Sequence, residues 1–314
     1  MSHRVFVEIP TWLGDAVMST PAIENLVQSY GDIKLTLFGS FVSTRALQKH
    51  PNVEKVIVDE SKKSGNRFFN LYKIAKSAGR FDLALSFRRQ LSSRFLLFCL
   101  DAKKKAVYER VGKKKQHQVQ HYVDFVNRVL GTDAQAKSLQ LYYPKYHYDK
   151  PTLGINPGAT YGSAKRWYPQ RFAQVAKAFS SSYDIVIFGA PKEVAMAQDV
   201  AKELDSLGVK NYTDLSGKTD IAQLIEHIGG LSLFITNDSG PMHIAAAYKV
   251  PTAAIFGPTK HDETSQWQNP KSAIVRKELE CVPCMKRVCP LGTHECMRNI
   301  EAKEVIEKVS EVLK

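Results

Sequence analysis

A carboxylate, a hydroxyl and a glycine stand side by side at Asp238, Ser239 and Gly240, within the stretch ITNDSGPMHIAAAYKVPTAAIFGPT. A turn alone does not require that set. Ser239 and Gly240 let phosphate oxygens come close to the backbone, and the helix expected next offers free N–H groups to an anion. Asp238 would repel a diphosphate laid directly on it, so it suits the hydroxyls of a sugar; as a plain helix N-cap it would need no ligand at all. His243, one turn further on, fits a ligand contact or a core histidine equally well.

Three other stretches are loaded in the same way. NPGATYGSAKRWYP (Asn156–Pro169) combines small residues with Thr160, Ser163, Lys165 and Arg166. It suits phosphate oxygens, or is merely a flexible basic loop. The Gly-Lys-Ser/Thr ending of a Walker A loop is absent. Glu193, in FGAPKEVAMA, could take the two hydroxyls of a ribose, or simply favour a helix dipole. Gly14-Asp15, in PTWLGDAVMSTPAI, opens a helix directly after a strand. Asp15 either caps that helix or serves as a general base for an acceptor hydroxyl. No G-x-G-x-x-G appears, which argues against a dinucleotide oxidoreductase, and no D-x-D pair indicates a metal-bridged diphosphate.

These stretches need strands and helices to hold them. RVFVEI, IKLTLFG, VEKVIVD and DLALSF read as strands separated by helices, with the long helix YVDFVNRVLG after them. The segment YYPKYHYDKP, with two prolines and four tyrosines, predicts a linker near residues 143–151. The alternation then restarts with TLGINPG, DIVIFGA, LSLFITN and TAAIFGP as strands. Near-continuous apolar strands alternating with helices predict parallel α/β sheets covered on both faces. We therefore expect two Rossmann-like domains, residues 1–148 and 149–314, with the last helix, AKEVIEKVSEVL, docking back on the first. In such sheets ligands sit beyond the carboxyl ends of the strands, where all four stretches lie.

Charge is divided unevenly. Residues 1–150 hold 25 Lys/Arg against 13 Asp/Glu, a surplus of 12, whereas residues 151–314 hold 19 against 18, a surplus of 1. Arg88, Arg89, Arg94 and the runs Lys103–Lys105 and Lys113–Lys115 supply much of it. A solvated surface tuned for solubility would account for it; the functional reading is an anionic partner. The lysine runs lack interleaved aromatics and no nucleic-acid motif is present, so nucleic acid is not the expected partner. No apolar run approaches the ~18 residues that cross a bilayer, and the N-terminus lacks a signal peptide's apolar core. A cytoplasmic location is the expectation. Cys281, Cys284, Cys289 and Cys296 fall within sixteen residues. They could hold a structural Zn²⁺, pack as reduced thiols or form a redox disulfide.

Taken together, these loops resemble glycosyltransferase family 9, the ADP-heptose:lipopolysaccharide heptosyltransferases. NDSGPMHIAAA…P…AIFGPT and GDAVMSTPAI look like its C-terminal and N-terminal motifs. PGATYGSAKRWYPQRFAQVA is similar to the members that add the second heptose of the inner core, and CVPCMKRVCPLG…CM recurs among them. The resemblance implies a GT-B architecture, two Rossmann-like domains facing each other across a cleft. It implies inverting transfer of L-glycero-D-manno-heptose from ADP-heptose to the first heptose of the lipopolysaccharide inner core, with no cofactor required. Asp15 would be the base, and Lys165, with Thr160 near it, would neutralise the ADP leaving group. Glu193 would hold the ribose and Asp238 the heptose. The diphosphate would lie over Ser239, Gly240 and Pro241, with Met242 and His243 completing the donor site. Gly14, Arg88 and Arg89 would face the acceptor. Pro241 departs from the pattern, since it lacks an N–H. The acceptor would be linked to lipid A, and the protein peripheral at the cytoplasmic face of the inner membrane.

Overall fold

The computed structural model describes residues 2–63, 65–110 and 115–314; Lys113 and Lys114 of the second lysine run lie outside them. The chain divides into two compact units, Met1–Tyr142 and Tyr143–Lys314.

The first unit alternates β1 (His3–Glu8), α1 (Leu13–Met18), α2 (Thr20–Tyr30), β2 (Ile33–Gly39), α3 (Phe41–Leu47), β3 (Val53–Val58), α4 (Arg67–Ala78), β4 (Arg80–Ser86), α5 (Leu91–Cys99), β5 (Asp101–Val107) and α6 (Gln118–Leu130). Its strands form one sheet in the order β3-β2-β1-β4-β5, every pairing parallel. Both faces are covered, so Val5, Phe6 and Val7 of the central strand are wholly buried. Phe6 stacks on Phe38 and meets the edge of Phe81, with ring centroids 5.9 and 5.4 Å apart. The stretch DAVMSTPAIENLVQSY forms two helices, α1 and α2, and not one continuous helix. Pro21 has no N–H for the carbonyl of Val17, and Thr20 Oγ1 takes that carbonyl instead at 2.8 Å.

The second unit contains β6 (Thr152–Asn156), α7 (Pro169–Phe179), β7 (Asp184–Ile187), α8 (Val194–Ser206), β8 (Tyr212–Asp214), α9 (Ile221–Gly230), β9 (Leu233–Asn237), α10 (Gly240–Tyr248), β10 (Thr252–Ile255), α11 (His261–Thr264), β11 (Ser272–Val275), α12 (Glu295–Arg298) and α13 (Ala302–Val312). The sheet order is β8-β7-β6-β9-β10-β11, again parallel. In each sheet the first strand lies between the second and the fourth. That is the doubly wound order, with its winding reversal between β1 and β4 and between β6 and β9. β8 and β11 escape the sequence reading because they are short edge strands, three and four residues long and only partly buried. The last helix buries Ala302, Val305 and Val309 in the second unit's own core, with Trp167 and Phe172.

The tyrosine-rich segment belongs to the second unit. Tyr248 donates its hydroxyl to the carbonyl of Tyr143 at 2.9 Å, and Tyr146 N–H donates to Glu226 O at 2.8 Å. The Tyr146 ring stacks on His227 with centroids 4.0 Å apart. This fastening needs a bare α-carbon at Gly230, where a Cβ would stand 2.0 Å from Tyr146 O. Gly230→Ala should therefore lower the unfolding free energy by about 1–3 kcal/mol, read from urea unfolding. An unchanged midpoint would mean that the segment is not held there.

Candidate functional site

In the first unit, polar residues gather where β1 and β4 end. Asp15 sits in the first turn of α1, and a surface depression there is lined by Trp12, Asp15, Arg88, Arg89 and Gln90. Gly14 is buried beside it. Tyr122 of α6 donates its hydroxyl to Asp15 Oδ1 at 3.4 Å. Burial, then the charge of Asp15, raises the Tyr122 hydroxyl well above its ordinary range, so it stays a donor at any working pH. The structure thus brings Asp15, Arg88 and Arg89 to one place.

The two arginines differ. Arg89 is exposed. Arg88 is buried, and its Nη1 lies 3.1 Å from Glu8 and 3.7 Å from Asp59, while Nη2 donates to Gln90 at 3.0 Å. Its Nε, also buried, has no hydrogen-bond partner. Glu8 also accepts from Ser86 Oγ at 2.5 Å and from Ser93 Oγ at 3.0 Å. Burial raises the Glu8 carboxyl above the usual carboxylate range, against the lowering pull of Arg88 and the serines.

In the second unit, the loops after β6, β7 and β9 meet. Lys165 Nζ lies 2.5 Å from Asp238 Oδ2, and both side chains are nearly buried. Thr259 donates to the same carboxylate oxygen at 2.6 Å. The Lys165 ammonium also stands 4.8 Å from the centre of the Tyr161 ring. Thr160 Oγ1 donates to Glu193 Oε1 at 3.3 Å, and Ala190 N–H donates to Glu193 Oε2 at 3.0 Å. Gly158 makes room for that carboxylate: a Cβ there would lie 2.3 Å from it. Asn156 and Asn237 end the two central strands and tie the loops together. Asn156 Nδ2 donates to Gly158 O and Ser239 Oγ, and Asn237 Nδ2 donates to Pro157 O while its Oδ1 accepts from Trp167 N–H.

α10 begins at Gly240 with Pro241 in its first turn, and Ser239 makes no side-chain cap. Asp238 is spent on Lys165 and Thr259 rather than on the helix end. The Met242 side chain is packed with Ala254 and Phe256, and His243 is buried. Only the backbone of Met242 is therefore left to serve a ligand.

The cysteine stretch lies against the Lys165 loop. Ala164 N–H donates to Arg287 O at 3.0 Å, Tyr161 OH donates to Met285 O at 2.7 Å, and His294 Nε2 lies 3.0 Å from Ala164 O. All five cysteines are free. Among the described residues no three of His, Cys, Asp and Glu are disposed to hold a metal ion. Cys281 is exposed, whereas Cys296 is buried, its sulfur beside Gly257. Burial, with the other three thiols nearby, pushes the Cys296 thiol up to about 11. The Cys289 thiol is drawn down by the backbone N–H groups of residues 291–294.

Glu8, Tyr122 and Thr259 are absent from the sequence reading. Glu8 passes for an ordinary strand residue, and Tyr122 lies 107 positions from Asp15. Thr259 carried one signal, its place at the end of AIFGPT after a strand.

Two outcomes test this geometry. Arg88→Met strands a buried carboxylate and should cost about 3–5 kcal/mol in urea unfolding at pH 7, whereas exposed Arg89→Met should stay within about 0.5 kcal/mol. Loss of Arg88 removes a lowering pull and raises the folded Glu8 carboxyl further, so the deficit should shrink as pH falls through that higher value and level off once Glu8 is protonated in both folded proteins. Equal losses for the two arginines would remove the Glu8 pairing. Iodoacetamide at neutral pH should label Cys289 before Cys296, as mapped by peptide mass spectrometry.

Comparison with known proteins identifies the family. Residues 72–294 match the model of Glycosyltransferase family 9 (heptosyltransferase). The chain is 41% identical to lipooligosaccharide heptosyltransferase 2 of Campylobacter jejuni, over 99% of this chain and 98% of that one. It is 26% identical to lipooligosaccharide heptosyltransferase 2 of Haemophilus influenzae, over 97% of each. Among solved structures, Escherichia coli ADP-heptose lps heptosyltransferase II shares the fold with a TM-score of 0.80 at 22% identity, over 99% of this chain and 98% of that one. The chain belongs to glycosyltransferase family 9, the heptosyltransferases, and is a glycosyltransferase.

Proposed function

We propose that the protein transfers L-glycero-D-manno-heptose from ADP-heptose to the first heptose of the lipopolysaccharide inner core, releasing ADP. The observation that carries this reading is the Lys165–Asp238–Thr259 cluster at the carboxyl ends of β6 and β9, in a chain 41% identical over 99% of its length to a heptosyltransferase 2.

The chemistry divides between the units. In the second, Lys165 exchanges Asp238 for the diphosphate and neutralises the charge that develops as ADP leaves. Asp238, so released, accepts hydrogen bonds from the heptose, while Thr259 keeps one carboxylate oxygen oriented. Backbone N–H groups at the start of α10 meet the phosphates, and Glu193 receives the ribose hydroxyls beside Thr160. In the first unit, Asp15 takes the proton of the acceptor hydroxyl as its oxygen attacks the anomeric carbon. Arg88 and Arg89 present positive charge to a phosphorylated acceptor, with Arg88 held in place by Glu8. Attack from the face opposite the departing diphosphate inverts the configuration there. The acceptor is lipid A-linked, and the enzyme works at the cytoplasmic face of the inner membrane.

The test is direct. Incubation with ADP-heptose and a one-heptose core acceptor should release ADP and add one heptose by mass. Asp15→Ala should lose about 10²–10⁴-fold in turnover with ADP-heptose affinity retained. Lys165→Ala should lose both turnover and donor affinity. An unchanged rate for Asp15→Ala removes that residue from the role of base.

A further inference from the structure

The first unit carries an apolar and basic face that the transfer chemistry does not use. On α4, Phe68, Phe69 and Tyr72 are exposed, and on α5 Leu91 and Phe98 are 72% and 80% exposed. Leu91, Phe95 and Phe98 fall at i, i+4 and i+7, which places them on one side of α5. Phe68 meets the edge of the Phe95 ring with centroids 5.1 Å apart, so the faces of the two helices are continuous.

Cations are set among these rings. Lys73 Nζ stands 4.4 Å from the centre of the Phe69 ring, and Lys76 Nζ 5.6 Å from that of Tyr72. Lys105 Nζ donates to the carbonyl of Phe98 at 2.9 Å, and Arg94 is exposed on α5. Neither helix contains an acidic residue. Between residues 66 and 100 the one acid is Asp82, and Lys103 pairs with it at 2.8 Å.

We propose that the α4–α5 face docks the protein on an anionic lipid leaflet. Aromatic rings suit the headgroup level, and lysine and arginine stems lie along apolar surface while their charged ends reach lipid phosphates. Among the described residues no helix is long and apolar enough to cross a membrane, so binding of this kind is to the leaflet's surface. The face also adjoins the candidate acceptor site: Gln90, which lines the depression beside Asp15, immediately precedes α5, and Leu91 is that helix's first residue. A lipid-linked acceptor in the same leaflet would then present its sugars at the edge of the docking face. That last step rests on the proposed function; the docking itself does not.

Flotation with vesicles tests it, using the full chain without donor or acceptor. Wild type should float with phosphatidylglycerol-containing vesicles and remain behind with pure phosphatidylcholine. Leu91→Ser/Phe98→Ser and, separately, Lys73→Glu/Lys76→Glu should each weaken flotation by about tenfold or more. All four positions are exposed, and thermal melts should confirm that both variants fold. Both should transfer heptose at the wild-type rate to a deacylated, water-soluble acceptor. Wild-type flotation by both variants overturns the proposal, as does equal flotation on neutral and anionic vesicles. Self-association through this face, abolished by Leu91→Ser/Phe98→Ser and without vesicle binding, overturns it too. Failure of transfer to the deacylated acceptor would strike the proposed function and leave the flotation result standing.

Discussion

Both sheets reverse their winding between the first and fourth strands, and the molecule's polar chemistry is organised by the gaps that result. Where neighbouring crossovers leave in opposite directions, no helix covers the strand ends, and backbone and side-chain polar groups there must find other partners. The two units solve this differently. In the first, β1 and β4 end in Glu8 and Ser86, joined at 2.5 Å, and Arg88 closes the group with a buried charge. In the second, β6 and β9 end in Asn156 and Asn237, which knit the following loops with neutral amides. A neutral framework adds no fixed negative charge to those of Asp238 and Glu193, which suits the diphosphate that the proposed function places there. A charged framework suits a site whose arginines must stay in place.

Lys165 and Asp238 then act as a self-neutralising pair. A buried ammonium without a partner is costly, so in the absence of a ligand the carboxylate does for Lys165 what a phosphate would do. Thr259 donates to the same oxygen of Asp238 that faces Lys165. The loop bearing Lys165 is braced rather than free. Gly162 lies so close to Arg287 O that a Cβ would stand 2.2 Å from it, and His294 and Met285 hold its neighbours from the same side. The cysteine stretch thus supports the loop by backbone contacts, which need no metal ligation.

The strongest periodic signals in the sequence were sound. Apolar strands and amphipathic helices fall near their expected places, because burial on both faces leaves little freedom in residue type. The site loops were legible for a related reason: they lie at strand ends and combine glycine with charge. What stayed hidden depends on pairing across the chain. Glu8 occupies the strand RVFVEI, and nothing local tells that its partner is 80 positions away at Arg88. β8 and β11 are too short and too exposed for a period to show. The tyrosine-rich segment has the composition of a linker, yet its rings and carbonyls are taken up by α9 and α10. Thiol spacing alone could not separate a metal site from a packed loop, since spacing says nothing about whether Cys281 and Cys296 share one environment.

The division of charge follows from these local solutions. A donor diphosphate met by one lysine and a helix end requires no basic field, and residues 151–314 are close to neutral, with 19 basic residues against 18 acidic. The surplus in residues 1–150, 25 against 13, has no comparable local anion among the described residues. Of the 25, Arg88 faces two of the 13, Glu8 and Asp59. Lys73, Lys76 and Arg94 instead stand exposed on α4 and α5, amid rings that water solvates poorly. Like charges held together in this way repel one another unless something negative comes to them. The anionic leaflet proposed for the α4–α5 face would relieve both the charge repulsion and the exposure of the rings, since it presents phosphates above hydrocarbon.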